Sequence, residues 1–581
     1  TPAPAPSFVL SGNGFSLYQG ITNDATVAIT ISNAISLNAA NTWYVGAGGV
    51  QTNAGIVSGS GTLTKTGAGT LTLAVTNAFS SATTVNGGTL RIIAVSTAIG
   101  ALRGDLVINS GAQAQVAVNQ WPLGYDTSPS WVDNITIDGG TLNFAVNGGT
   151  DAHQITLNAG TISGAAGFDW YNTIVDSATM SSLANAGSSV VSSPINLRMN
   201  NNAAPVGSGI ANFDVADGAA DTDLLISGVL SGGANNLVVK AGAGTMSWSA
   251  ANTFTSPTRI DAGVLNLANG LAAQNSVVSN LVSGGLTFSG GNVFTIGGLA
   301  GNVDLWLTNT AGSAISLSLG GNNNSALYSG VLGGPGSLVK IGTGTQMLTG
   351  NNTNTASTTI SAGTLQIGNG GATGALGPGV VTNNGALVFN RAGSLTVTNT
   401  TVSGSGTITS SGSGAVTLAS NLVTTTGGLT VKKGTFTLNS CIYSNTGNSQ
   451  ELVCSAAGDI ARLVLTNNSQ FVKADNWFQI GAITATTGTV LMVDGLLKNT
   501  SAAEGFIVGN EVRSVGALYQ LGGAIESSCY FLLGYQTAGA YGFYLNNGGT
   551  LKCANWIQFP DTGLGIVYQN GGSIISTVNG L

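Results

Sequence analysis

Charged side chains are scarce in this chain. Of its 581 residues, 15 are Lys or Arg and 22 are Asp or Glu, 6% in all, against roughly a quarter in an ordinary globular protein. The few basic residues are scattered, and the net charge is −7 with a pI near 4.6. Without a basic patch, nucleic acid and anionic lipid are excluded as partners on electrostatic grounds. There is one histidine, His153, and clustered acid–base machinery of the kind that cleaves polysaccharides is not visible, so no catalytic residue is expected. No apolar run approaches the ~18–20 residues of a membrane helix. No helical period occurs anywhere. Cysteine is limited to four residues, all in the last quarter: Cys441, Cys454, Cys529 and Cys553.

The remainder is 43% apolar with 88 glycines. A disordered chain would be poor in apolar residues and rich in charge, so this one is ordered. The stretch 58–92, SGSGTLTKTGAGTLTLAVTNAFSSATTVNGGTLRI, shows how. Apolar residues alternate with Thr, Ser and Asn (Leu71 and Leu73, then Leu90 and Ile92), the period of a strand buried on one face. Gly-rich corners separate the runs, at Gly67 with Gly69 and at Gly87-Gly88, where glycine accepts cramped geometry without steric cost. Strand, corner, strand, corner describes a chain winding into a coil.

The stretch returns downstream. Lys65 is followed by Gly69, Val85, Leu90 and Ile92; Lys240 by Gly244, Ile260, Leu265 and Leu267; Lys340 by Gly344, Ile360, Leu365 and Ile367, at identical offsets. A fourth copy from Ser403 places Ser410 where the lysine stood and runs one residue longer, to Val431, Phe436 and Leu438. An internal repeat of this kind is the sequence sign of a repeat architecture.

The shared pattern L-x-K-x-G-x-G-T-L-x-L, then N-x-[FY], then TT-[VI]-x-x-GTL-x-I, resembles the passenger-associated transport repeat of bacterial autotransporter-type surface proteins. The third copy departs by placing Asn354 where Phe79 and Phe254 stand. The resemblance implies an all-β, right-handed parallel β-helix (a β-solenoid) displayed outside the cell, here with irregular loop insertions.

Three regions are expected. Residues 1–10 read as a Pro/Ala-rich arm, and TPAPAP as a mature amino terminus left by signal-peptide removal. Residues 11–440 carry the repeats, with insertions near 119–134 and 165–223. Residues 441–581 continue the coils with an aromatic-rich texture and the cysteines. There, related segments begin at Tyr519, Tyr544 and Tyr568, and their nearly even spacing reads as the length of one coil.

Candidate sites are few. The aromatic residues Trp121, Tyr125, Trp131, Trp170 and Tyr171 lie in the two insertions and could stack on sugars or another protein, or fold back onto the coil. The acidic segment Asp214, Asp217, Asp221 and Asp223 matches no calcium-loop spacing and reads as a solvated loop, so no metal or cofactor is expected. Lys65, Lys240 and Lys340 each close a strand before a glycine corner, which points to a repeated structural role. Cys529 and Cys553 are separated by that same coil length and could bridge adjacent coils, while Cys441 and Cys454 could staple a loop.

The functional expectation is a non-catalytic extracellular structural protein: filament subunit, surface adhesin or matrix component. Self-association through ends that show no cap, and a glycan or cell-surface receptor, are its expected partners. The alternative is a carbohydrate-binding or polysaccharide-degrading β-helix.

Overall fold

The computed structural model describes residues 7–94, 100–119, 121–124, 131–150, 152–172, 177–199, 209–233, 235–398, 401–535, 538–559 and 563–577. Among them there is no helix, and every pairing between strands is parallel. The strands stack as a β-solenoid of about 23 turns. The chain forms two compact units, residues 1–297 with 309–311, and residues 298–308 with 312–581.

In the first unit a 13-stranded parallel ladder runs from Ser7–Leu10 to Leu286–Phe288. A second ladder begins at Gly20–Asn23, Asn41–Val45, Leu63–Thr66 and Thr83–Val85. Short third ladders close some coils, such as Gly148–Thr150 with Phe168–Asn172 and Ile195–Met199. Like residues stack: Leu71 pairs with Leu90 and Leu73 with Ile92, and all four are fully buried. Each such side chain contributes about 1.5–3 kcal/mol by leaving water.

The corners repeat as closely as the strands. Gly67, Gly242 and Gly342 hold φ of +77°, +71° and +65°, the left-handed region that costs any other residue. A Cβ at Gly69 would fall 2.2 Å from the carbonyl oxygen of Gly46 in the coil below. Glycine there is what lets successive corners touch.

In the second unit, ladders that include Ser316–Leu319, Ser337–Lys340 and Thr358–Ile360 on one side, and Thr345–Leu348, Thr364–Ile367 and Ala386–Phe389 on another, are joined from residue 395 by an eight-stranded third ladder. Its strands lengthen to Lys433–Asn439 and Ile460–Thr466 where the sequence changes texture near 441. The aromatics of that region form a core spine: Phe478 pairs with Phe506 and Phe506 with Phe531, with ring centroids 5.5 and 6.1 Å apart.

Several local expectations change. Residues 165–223, read as an irregular insertion, supply strands Phe168–Asn172, Ser177–Ser182, Ser189–Val191, Ile195–Met199 and Gly209–Val215. Coil length also varies. Phe436 pairs with Leu463, Leu463 with Val490, Val490 with Leu518 and Leu518 with Tyr544. Every one of these steps is longer than the step from Tyr519 to Tyr544. Tyr519 therefore pairs with Leu545, not Tyr544, a one-position slip that turns Tyr544 into the core.

The shortage of charge is met by amides. Among the described residues, Arg198, Arg259 and Lys498 each pair with a carboxylate, and His153 contacts Asp133. Successive coils are joined instead by side-chain ladders such as Asn185 Nδ2 to Asn158 Oδ1 at 2.6 Å and Asn158 Nδ2 to Asp138 Oδ1 at 2.7 Å.

Candidate functional site

The three repeat lysines are buried, with relative exposures of 0, 0 and 1% for Lys65, Lys240 and Lys340. Each ammonium donates to two carbonyls of its own corner and one of the next coil. Lys65 Nζ reaches Thr66 O and Gly67 O at 2.8 Å and Gly87 O at 3.0 Å. Lys240 repeats this on Ala241, Gly242 and Ala262, and Lys340 on Ile341, Gly342 and Ala362. Three N–H donors meet three carbonyls, which lets a charge sit in the corner; at Lys240 the nearby carboxylates of Asp214 and Asp223 favour that charge as well. Burial pulls Lys65 and Lys240 down to about 8, so at neutral pH both are mostly charged. In the fourth copy Ser410 is equally buried and its Oγ has no partner among the described residues.

At one fixed offset after each lysine stands an asparagine that joins three coils. Asn77 Oδ1 accepts from Val57 N at 2.9 Å while its Nδ2 donates to Ala101 O at 3.0 Å. Asn252 does the same between Leu230 and Ala272, and Asn352 between Leu332 and Ala375. Two positions on, Phe79, Phe254 and Asn354 are all buried, and Asn354 Nδ2 turns to Gly336 O at 3.5 Å. The N-x-[FY] element is thus a rung followed by a core plug.

The aromatic candidates separate. Trp170 and Tyr171 are core residues, 0 and 2% exposed. Trp170 packs edge-on against Phe213 at 5.5 Å and donates Nε1 to Ala152 O at 3.3 Å. Trp121 folds back: its ring lies 5.4 Å from that of Tyr171 and covers Gly149, where a Cβ would come within 2.0 Å of the indole. Arg198 sits 5.0 Å over Tyr171 and pairs with Asp169 at 2.9 Å. These three aromatics are therefore packing residues, not an exposed stacking surface. Tyr125 lies outside the described residues.

Trp131 is different. It lines a cleft of about 350 Å³ with Ser80, Ala82, Arg103, Asp105 and Asp133. These residues occupy the corner that precedes one ladder on successive coils, since Thr83 pairs with Leu106, Leu106 with Ile135 and Ile135 with Ile155. Asp133 Oδ1 accepts from Trp131 Nε1 at 3.4 Å and lies 2.5 Å from His153 Nδ1. Asp105 Oδ1 accepts from Asn134 Nδ2 at 3.0 Å. The Arg103 guanidinium makes no hydrogen bond or ion pair to any described residue, and its Nε is buried without a partner. Burial lowers the pKa of Arg103 from its ordinary value. No sequence spacing announces this cleft, because its members come from several coils.

The other candidates are structural. Asp223 is buried and caps Gly218 N and Thr245 N at 2.8 Å, while Asp214, Asp217 and Asp221 are exposed. No group of three metal-ligating side chains occurs among the described residues. All four cysteines are buried free thiols, and the expected disulfides are not formed. For Cys529 and Cys553 the reason is register: Cys553 pairs with Ser527, not Cys529, because this coil is two positions longer than the cysteine spacing. Cys553 Sγ instead lies 3.0 Å from Cys529 O.

The stretches that share the lysine and asparagine geometry, residues 63–92, 238–267 and 338–367, match the family described as Passenger-associated-transport-repeat. The chain carries passenger-associated transport repeats. A curated relative, the adhesin BmaC autotransporter of Brucella suis biovar 1 (strain 1330), is 27% identical over 512 residues, covering 67% of this chain and 14% of the relative. The chain thus spans about 14% of the length of the curated relative it matches. No solved structure matches. Repeat, relative and solenoid together support an autotransporter-passenger-type protein.

Proposed function

We propose that this chain is a non-catalytic, adhesin-like stretch of an autotransporter-type passenger, located at the cell surface or outside the cell. The observation that carries the reading is the repeat itself: three passenger-associated copies in which the same lysine and asparagine lock successive coils. Such a scaffold depends only on neighbouring coils and can hold surface residues at fixed spacing along its length. The relative's designation as an adhesin agrees with this. Charge scarcity and amide ladders suit a surface whose bonds do not weaken with salt, as ion pairs do.

Labelling of the cells that make the protein tests the location. Antibodies to the purified chain should stain intact cells, and external protease should remove the signal. Staining that needs permeabilisation would overturn the proposal.

A further inference from the structure

The cleft at Arg103 and Trp131 contains a group that no described residue engages. Arg198 and Arg259 pair with carboxylates and Arg391 donates to backbone carbonyls. Arg103 makes no such contact among the described residues, although its Nε is buried. A planar guanidinium presents a fork of donors that matches a carboxylate in two parallel bonds. Leaving it unpaired in a partly desolvated cleft costs stability that a bound anion would recover.

The rest of the cleft gives the class of anion. Trp131 offers an indole of the kind on which a sugar ring stacks, and it is held in place by Asp133, with the His153 ring 6.2 Å away and nearly perpendicular. Asp105 and Asp133 also line the cleft as acceptors, each already steadied by a neighbour (Asn134 and His153). Carboxylates fixed in this way accept hydroxyl donors, whereas a purely inorganic anion would meet only repulsion from them. A free guanidinium, an aromatic ring and two oriented acceptors suit one ligand that is anionic at one point, flat and apolar on one side, and rich in hydroxyls. We infer that the cleft binds a carboxylated sugar residue of a glycan: the carboxylate on Arg103, the ring against Trp131 and hydroxyls on Asp105 and Asp133. The inference rests on the surface-passenger reading only for where such a glycan would be met.

The test uses the full chain on an array holding glycans that end in uronic acid, in sialic acid, or in the carboxyl-reduced form of each. The intact chain should prefer at least one carboxylated series over its reduced counterpart by about tenfold or more. Arg103→Gln and Trp131→Ala should each lose about tenfold or more, with unchanged melting, and Arg103→Lys should retain part of the affinity. Trp306→Ala, a change at an exposed ring in the second unit, should bind as the parent does. Which arm responds distinguishes the two acid sources. If no carboxylated glycan binds, if reduced glycans bind equally, or if Arg103→Gln binds unchanged, the inference is wrong. Should a variant fail to fold, the comparison of acid with reduced glycan on the parent chain still decides. An empty cleft would leave the staining of intact cells untouched, so the two failures are distinguishable.

Discussion

Replacing Lys65 by Met removes the ammonium and keeps most of the apolar stem. Three carbonyls, of Thr66, Gly67 and Gly87, then lose a donor in a corner that excludes water. Hydrogen bonds to a charged group contribute about 1.5–3 kcal/mol each, which bounds the loss from above. Part of that is returned, because the substitution also removes a buried charge. We expect a net loss of about 2–4 kcal/mol, confined to the coils that the lysine joins, since stability in a solenoid is a sum of local and nearest-neighbour terms. Hydrogen exchange read by mass spectrometry measures this directly. Peptides covering 63–92 should exchange on the order of a hundredfold faster, while those covering 338–367, with Lys340 intact, should not change. Equal exchange at 63–92 in the variant and the parent would show that the ammonium does not hold the coils together, and the account of the repeat would fail.

Ser410→Lys should supply the missing donor of the fourth copy and slow exchange around 403–438, with a gain of about 1 kcal/mol; a loss would mean that the corner there is closed to the longer chain. Asn77→Leu severs the links to Val57 and Ala101 and should cost about 2–3 kcal/mol, read as a lower urea midpoint for the first unit; no shift would remove the rung. Glu451 is fully enclosed, and burial pushes its carboxyl up to about 8 although Asn445, Leu429 and Tyr443 donate to it. Between about 4.5, its ordinary value, and about 8 the folded state holds the extra proton. Stability then falls as pH rises, by at most about 1.4 kcal/mol per pH unit. Glu451→Gln should flatten that slope in urea titrations at pH 5–8; an unchanged slope would show that Glu451 is not its source. The four thiols should be closed to iodoacetamide until denaturant is added, because all four are buried, which also pushes Cys441 and Cys454 up to about 12 and raises Cys553. A native mass lower by four hydrogens would reveal the disulfides instead.

The solenoid was legible because its two signals are local. Alternation along Leu71, Leu73, Leu90 and Ile92 reports the strands, and glycine reports corners such as Gly67, Gly242 and Gly342, whose left-handed backbone other residues adopt only at a cost. The lysine was visible as a repeated position, but its role depends on a carbonyl 22 residues away, which spacing alone does not place. Strands such as Ser177–Ser182 and Gly209–Val215 escaped notice because Ala178, Met180 and Ser182, and Gly209 and Ala211, hold inward positions where the repeats place Leu or Ile. The cysteine and tyrosine registers failed for a shared reason: the coils there are longer than the spacing at which the tyrosine segments recur. The cleft was illegible because Ser80, Arg103 and Trp131 belong to different coils and meet only when those coils stack.

The functional account is tested most directly by beads coated with the full chain and offered to glycan-bearing cell surfaces, with the supernatant followed by mass spectrometry. The account predicts retained beads and no released fragment. Released oligosaccharide or peptide in proportion to time would contradict it, by showing a catalyst where a binding scaffold is proposed.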